Sequence, residues 1–148
     1  PESKPEDVRI GWRTIGVKPN RIDAIGMIMA DICDEHLGDD FTTIVGISIN
    51  GIMFAQSVSD QLGCEVSIFR RGADGETGTL SNKYGQVGGK RVVVVDDLLN
   101  SGDTMRQVID ALRSAGAEVV LCLVLVNKTT KDEIAGIPLR GLIRAVTV

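Results

Sequence analysis

The sequence predicts an α/β domain, a mainly parallel sheet flanked by helices. Runs of β-branched and aliphatic residues alternate along the chain with stretches whose apolar residues recur at helical spacing, the pattern of a parallel sheet covered by helices. Several of the strand-like runs are continuously apolar, as strands buried on both faces are. No internal repeat or low-complexity tract interrupts the alternation.

The elements follow in order. Pro1 to Asp7 is polar, bears two prolines and lacks an initiating Met, so it reads as linker. Residues 1–19 are taken as an N-terminal extension and 20–148 as the domain, with room for a longer protein upstream. A helix is expected from about Arg21 to Leu37, capped by Asn20, with Asp23 near the positive end of the dipole and Gly38 as a stop. Ile22, Ile25, Met29, Ile32 and Cys33 form its core stripe, and Met27 and Met53 read as further core filler. Thr43 to Ile49 is a buried strand, broken by Asn50-Gly51. Ile52 to Leu62 is helical and ends at Gly63, and Glu65 to Phe69 is the next strand.

Arg70 to Gly89 differs from its surroundings. It holds six glycines and few apolar residues, and long loops in compact domains usually serve function. Arg91 to Val95 is a strongly β-branched strand. Met105, Val108, Ile109 and Leu112 mark one face of a helix ending near Gly116. Glu118 to Val126 is a continuous apolar strand, and Leu139 to Val148 supplies a last one.

Composition sets limits. The 148 residues fit one domain able to bury roughly two-thirds of its unfolded surface. Aromatics make up only 3%, so the core must be aliphatic. A net charge of −4 argues against a broad basic face for a nucleic-acid backbone. Cys33, Cys64 and Cys122 are widely spaced in apolar stretches, which reads as reduced core thiols. The longest apolar run, Val119 to Val126, is too short for a bilayer, and no signal pattern opens the chain, so a soluble cytoplasmic protein is expected.

Chemistry concentrates at Asp96-Asp97-Leu98-Leu99-Asn100-Ser101-Gly102-Asp103-Thr104. A four-valine strand ends in two carboxylates, then a small-residue turn, then a helix. Ligands of parallel sheets bind at the carboxyl ends of strands. The free N–H groups opening the helix form an anion site, Gly102 allows close backbone approach, and Ser101 and Thr104 add hydroxyls. The carboxylates would repel a phosphate, so they suit hydroxyls that donate hydrogen bonds, such as those of a ribose. An N-cap alone would explain Asp103-Thr104, and a strand-end acidic pair also occurs in receiver-type phosphorylation domains. Neither accounts for the whole run. An unrelated flavodoxin-like binding module leaves the loop unexplained as well.

This run resembles the phosphoribosyl-pyrophosphate signature of type I phosphoribosyltransferases. The resemblance implies that Asp96 and Asp97 hold ribose hydroxyls and that Asn100, Ser101, Gly102, Asp103 and Thr104 hold the 5′-phosphate. It places the pyrophosphate loop at Val45 to Gly51, with Ser48, Ile49, Asn50 and Gly51 at its tip, and a flexible hood at Arg70 to Gly89, with Arg70, Arg71 and Lys83 as anion contacts. Mg²⁺ would arrive with phosphoribosyl pyrophosphate rather than on protein ligands of its own. A homodimer is a further implication. The order of parts is nearest to orotate phosphoribosyltransferase, whose hood carries an Arg-Lys-x-x-Lys-x-His-Gly run. Here Arg70 and Arg71 keep two of the bases, while Asp74 and Glu76 replace the later Lys and the His. Those charges oppose neutralisation of a departing pyrophosphate. The pyrophosphate loop has no Lys or Arg, and Asn100 cannot accept a proton as a base would.

The opening Arg9-Ile10-Gly11-Trp12-Arg13-Thr14-Ile15-Gly16, continuing to Pro19-Asn20-Arg21-Ile22, resembles the segment joining a helix-turn-helix to an orotate-phosphoribosyltransferase-like domain in archaeal transcriptional regulators. That resemblance implies an effector-sensing domain that touches DNA only through a part outside this chain. An active Mg²⁺-dependent orotate or other nucleobase phosphoribosyltransferase is the alternative. His36, the only histidine, has no partner motif and reads as a helix-end or solvent contact, and Trp12 reads as a packing anchor. The sequence names neither the base, the effector nor the DNA target.

Overall fold

A computed structural model of the chain describes residues 19–72, 78–81 and 86–146. The N-terminal extension ahead of residue 19, with Trp12, lies outside the described residues. Among the described residues, three helices, α1 (Pro19–Leu37), α2 (Asn50–Leu62) and α3 (Asp103–Ser114), accompany seven strands: β1 (Thr43–Ile47), β2 (Glu65–Arg71), β3 (Gly78–Leu80), β4 (Arg91–Leu99), β5 (Glu118–Asn127), β6 (Glu133–Ile134) and β7 (Ile137–Arg144). The strands order as β3-β2-β1-β4-β5-β7-β6. The five from β2 to β7 run parallel, and short antiparallel partners, β3 and β6, close each edge. The mainly parallel α/β sheet expected from the sequence is therefore present.

β4 sits at the centre, and its valines show why the run is continuously apolar. Val92 and Val94 pack with Met105, Val108, Ile109 and Leu112 of α3. Val93 and Val95 pack on the opposite face with Met29 and Cys33 of α1 and Phe54, Ala55 and Val58 of α2. Successive side chains of a strand point to opposite faces, so a strand covered on both sides needs an apolar residue at every position. At the amino ends of the strands, away from the site, Lys90 pairs with Glu65, while Arg91 reaches Asp40 at 3.1 Å and Glu118 at 3.8 Å. Exposed pairs of this kind add little stability individually. Burial pushes the Cys33 and Cys122 thiols up to about 12, in keeping with reduced core cysteines.

Several boundaries differ from the sequence reading. α1 starts at Pro19, so Asn20 lies inside its first turn, and Pro suits an opening position where its missing N–H is not needed. Ile22, Ile25, Met29, Ile32 and Cys33 form the inward stripe, but Met27 is 56% exposed and belongs to the solvent face. α2 begins at Asn50, taking in the Asn50-Gly51 pair expected to break the strand. β2 extends to Arg71, and part of the expected hood is strand: β3 pairs with it, Phe69 opposite Leu80. β4 continues to Leu99 because β5 offers pairing partners as far as Asn127. The β6–β7 hairpin was not expected. Its two-residue turn, Ala135-Gly136, has positive φ at both positions (51° and 80°). Hood residues 73–77 and 82–85 lie outside the described residues. Among those described, no helix is long and apolar enough to cross a membrane.

Candidate functional site

Where β4 leaves the core, its alternation delivers the two acids. Asp97 falls on the same side as Val93 and Val95, the face covered by α2, and there its Oδ2 accepts a hydrogen bond from Asn50 Nδ2 at 2.8 Å. Asp96 falls on the opposite side, and its Oδ1 accepts from the Asp97 backbone N–H at 2.8 Å. The Asn50–Asp97 bond joins the start of α2 to the end of β4. Gly51 makes that joint possible, because a Cβ there would lie 2.5 Å from the Val95 carbonyl oxygen and 3.1 Å from Asp96 Cα.

Burial is the main force raising the Asp96 carboxyl well above its ordinary value, and the Asp97 carboxylate beside it pushes the same way. The Asp97 N–H and the Arg71 guanidinium pull in the other direction without prevailing. The site thus has a carboxyl that holds its proton to higher pH beside a second carboxylate, an arrangement that offers both a donor and acceptors to vicinal hydroxyls.

Beyond Leu99 the chain turns through Asn100 and Ser101 to Gly102, whose φ of 92° is a conformation that favours glycine. A Cβ on Gly102 would meet Ile134 Cδ1 at 2.9 Å and Arg106 Nη1 at 3.3 Å. A side chain there would therefore press first on the β6 hairpin and on Arg106. The first N–H groups of α3 have no partner within the helix, and the dipole favours an anion before them. Ser101 Oγ accepts from the Asp103 N–H at 3.3 Å, leaving its own hydroxyl hydrogen to donate. Asp103 is turned outward to Arg106, 3.5 Å away, which offsets its charge beside the anion position. Arg106 Nη1 also donates to the Ser101 carbonyl at 3.4 Å.

The third wall is the β1–α2 turn. The Ser48–Ile49 peptide is cis, Ser48 Oγ accepts from the Arg71 N–H at 3.0 Å, and Ile49 is 78% exposed. Together the three walls enclose a cleft of about 880 Å³, within the range of small-ligand sites.

The cleft brings together most of the expected residues. Asp96, Asp97, Asn100, Ser101, Gly102, Asp103 and Thr104 line it, with Ser48, Ile49, Asn50 and Arg71. Gly51 sits behind the lining, against the backbone of β4. Arg70 is exposed on β2 and does not line the cleft, because its neighbour Arg71 takes the inward direction of the strand. Lys83 lies outside the described residues. Gly72, Leu98, Leu99 and Met105 also line the cleft. Arg106 was missed, although its (i, i+3) spacing from Asp103 is a legible signal. Nothing local signals the Asn50–Asp97 bond. Among the described residues no group of three His, Cys, Asp or Glu side chains could hold a metal. His36 ends α1, where Arg140 Nη1 donates to its Nε2 at 2.6 Å, and takes no part in the cleft lining.

Residues 11–141 match the model of the phosphoribosyl transferase domain. A protein of Thermoplasma acidophilum named transcriptional regulator GfcR is 37% identical over 150 residues, covering 99% of this chain and 76% of its own. An orotate phosphoribosyltransferase of Mycobacterium tuberculosis, solved in complex with 5-phospho-α-D-ribosyl 1-diphosphate, superposes with a TM-score of 0.69 at 21% identity, covering 84% of this chain and 73% of that one. An adenine phosphoribosyltransferase of Thermoanaerobacter pseudethanolicus gives 0.72 at 22% identity, covering 84% and 81%. At such identities the solved structures speak for the fold alone.

Proposed function

The chain belongs to the phosphoribosyltransferase domain family, and from that membership we propose that it binds phosphoribosyl pyrophosphate or a related 5-phosphorylated ribose as the effector-sensing part of a transcriptional regulator. One observation carries the ligand reading: an acid pair at a strand end and a helix N-terminus open into the same cleft. In this reading the α3 N-terminus with Ser101 and Thr104 takes the phosphate, and Asp96 and Asp97 take the ribose hydroxyls. Mg²⁺, carried on the ligand's phosphates beside the acid pair, would supply charge neutralisation.

The regulator half rests on relatives that bear that name and on Asp74 and Glu76, which stand in the sequence where orotate enzymes keep Lys and His. Sensing requires binding without turnover, and added carboxylates in the hood are compatible with the first and unfavourable to the second. DNA contact would come through a part of the protein outside this chain. Met27 and Ile28, 56% and 50% exposed on α1, are apolar surface of the kind a homodimer covers.

A second reading, a Mg²⁺-dependent orotate or other nucleobase phosphoribosyltransferase, is favoured by Arg71, which lines the cleft and acts on Asp96. Titrating phosphoribosyl pyrophosphate with Mg²⁺ and then adding orotate separates the two. Binding heat without nucleotide formation is expected, and efficient turnover would establish the enzyme instead.

A further inference from the structure

We infer that Asn50 is a positioning residue for the sugar end of the site: it sets the Asp97 carboxylate for a ribose hydroxyl rather than meeting a diphosphate itself. This rests on the phosphoribose reading above and deepens it.

Asn50 opens α2, but the cap position before it is held by Ile49, which offers no side-chain bond to the helix. Asn is a favoured capping residue, yet here its amide reaches across to β4, with Nδ2 2.8 Å from Asp97 Oδ2. A carboxylate accepts and an amide NH2 donates, so the chemistry fixes which end of the Asn50 amide faces the acid. Asp96 has a different anchor, the Asp97 backbone N–H on its Oδ1 at 2.8 Å. Each acid thus has one oxygen held by an N–H, and only Asp97 depends for this on a residue distant in sequence.

The platform under Asn50 is rigid. Gly51 lies against the Val95 carbonyl, which a Cβ would approach to 2.5 Å, and Phe54 and Ala55 pack with Val93 and Val95. On the other side, Ser48 Oγ accepts from the Arg71 N–H at 3.0 Å and ties the turn to β2. A side chain held from a packed helix is placed more precisely than one held from a loop. The alternative partner for Asp97 is close by, because the Asp96 carboxyl lies within its hydrogen-bonding reach. Without Asn50, the Asp97 side chain would turn toward Asp96 or stay mobile, and a hydroxyl arriving there would have to order it first.

The test is calorimetric titration of ribose 5-phosphate into the 148-residue chain and into Asn50→Ala, Asp97→Ala and the double variant, with circular dichroism to confirm that each is folded. Asn50→Ala is expected to weaken ribose 5-phosphate ~5- to 10-fold, and inorganic phosphate, read as its competitor, less than ~2-fold. In the Asp97→Ala background the same change is expected to add less than ~2-fold, because the group that Asn50 positions is gone. Additive losses, an equal loss for inorganic phosphate, or an unchanged affinity for ribose 5-phosphate in Asn50→Ala overturns the inference. A loss confined to phosphoribosyl pyrophosphate also overturns it and makes Asn50 a diphosphate contact. Failure of the native chain to bind ribose 5-phosphate overturns the phosphoribose reading itself.

Discussion

Replacing Asp96 by Asn separates what this residue does for the fold from what it does for the ligand. In the native chain, burial and Asp97 raise the Asp96 carboxyl, and Arg71 only partly offsets them. An unfolded Asp releases its proton near pH ~4, whereas the folded one holds it to higher pH. Between the two the native state binds more protons, so stability falls as pH rises, the reverse of the usual carboxylate. The slope approaches about 1.4 kcal/mol per pH unit while the folded carboxyl stays protonated and flattens above its folded pKa. Asn is nearly isosteric, and its Oδ1 can still accept from the Asp97 N–H, a bond of 2.8 Å in the native chain. The variant removes only the ionisation. Its advantage should be near zero at about pH 4 and widen above it, with about 2–4 °C of Tm for each kcal/mol in a domain of this size. Thermal denaturation of both proteins at about pH 4.5, 5.5 and 6.5 reads the gap, expected to open by ~3–6 °C per unit until it levels. A gap that is constant, or that narrows with rising pH, would refute the reasoning. The same substitution should weaken ligand binding, a carboxylate kept for function against stability.

Other substitutions probe the supports of the site. Gly102→Ala puts a side chain at φ 92° with its Cβ 2.9 Å from Ile134 Cδ1, so a loss of about 2–3 kcal/mol is expected, a Tm drop of ~4–12 °C; an unchanged Tm would mean that the turn relaxes freely. Gly51→Ala drives a methyl against the Val95 carbonyl, backbone that cannot swing aside. Urea denaturation should show a loss of about 1–3 kcal/mol, and a wild-type midpoint would contradict the close approach of α2 to β4. Ala135→Asn places a residue tolerant of left-handed backbone ahead of Gly136, where φ is 51°, and should stabilise the β6–β7 turn by roughly 0.5–1 kcal/mol. Destabilisation in the urea midpoint would count against that turn geometry.

The parts of this molecule that the sequence reveals are those encoded by neighbouring residues. The run from Arg91 to Leu112 carries strand, acids, turn and helix in one stretch, and all the polar residues between Asp96 and Thr104 line the cleft. Boundaries failed where distant chain decided them. Two aspartates after Val95 suggest that the strand is over, yet β5 keeps pairing with it to Leu99, and tertiary pairing overrides the low strand preference of Asp. Gly78 reads as loop, but it is strand, paired with Arg71, and the Phe69 ring fills the space a Cβ would take, 2.3 Å away. The β6–β7 hairpin turns on an alanine at positive φ, which no propensity anticipates. Met27 reads as core filler by residue type, yet it lies off the inward stripe of α1 and is exposed. The Asn50–Asp97 bond spans 47 residues and exists only once α2 and β4 have been brought together.

The most direct measurement is calorimetric titration of ribose 5-phosphate into the native chain and into the Asp96→Asn/Asp97→Asn double variant, with circular dichroism to confirm that both are folded. The account predicts binding to the native chain and an affinity at least ~100-fold lower for the variant, since the acid pair that holds the ribose hydroxyls is replaced by amides. Equal affinity in a folded double variant would contradict it and move the ribose site away from the end of β4.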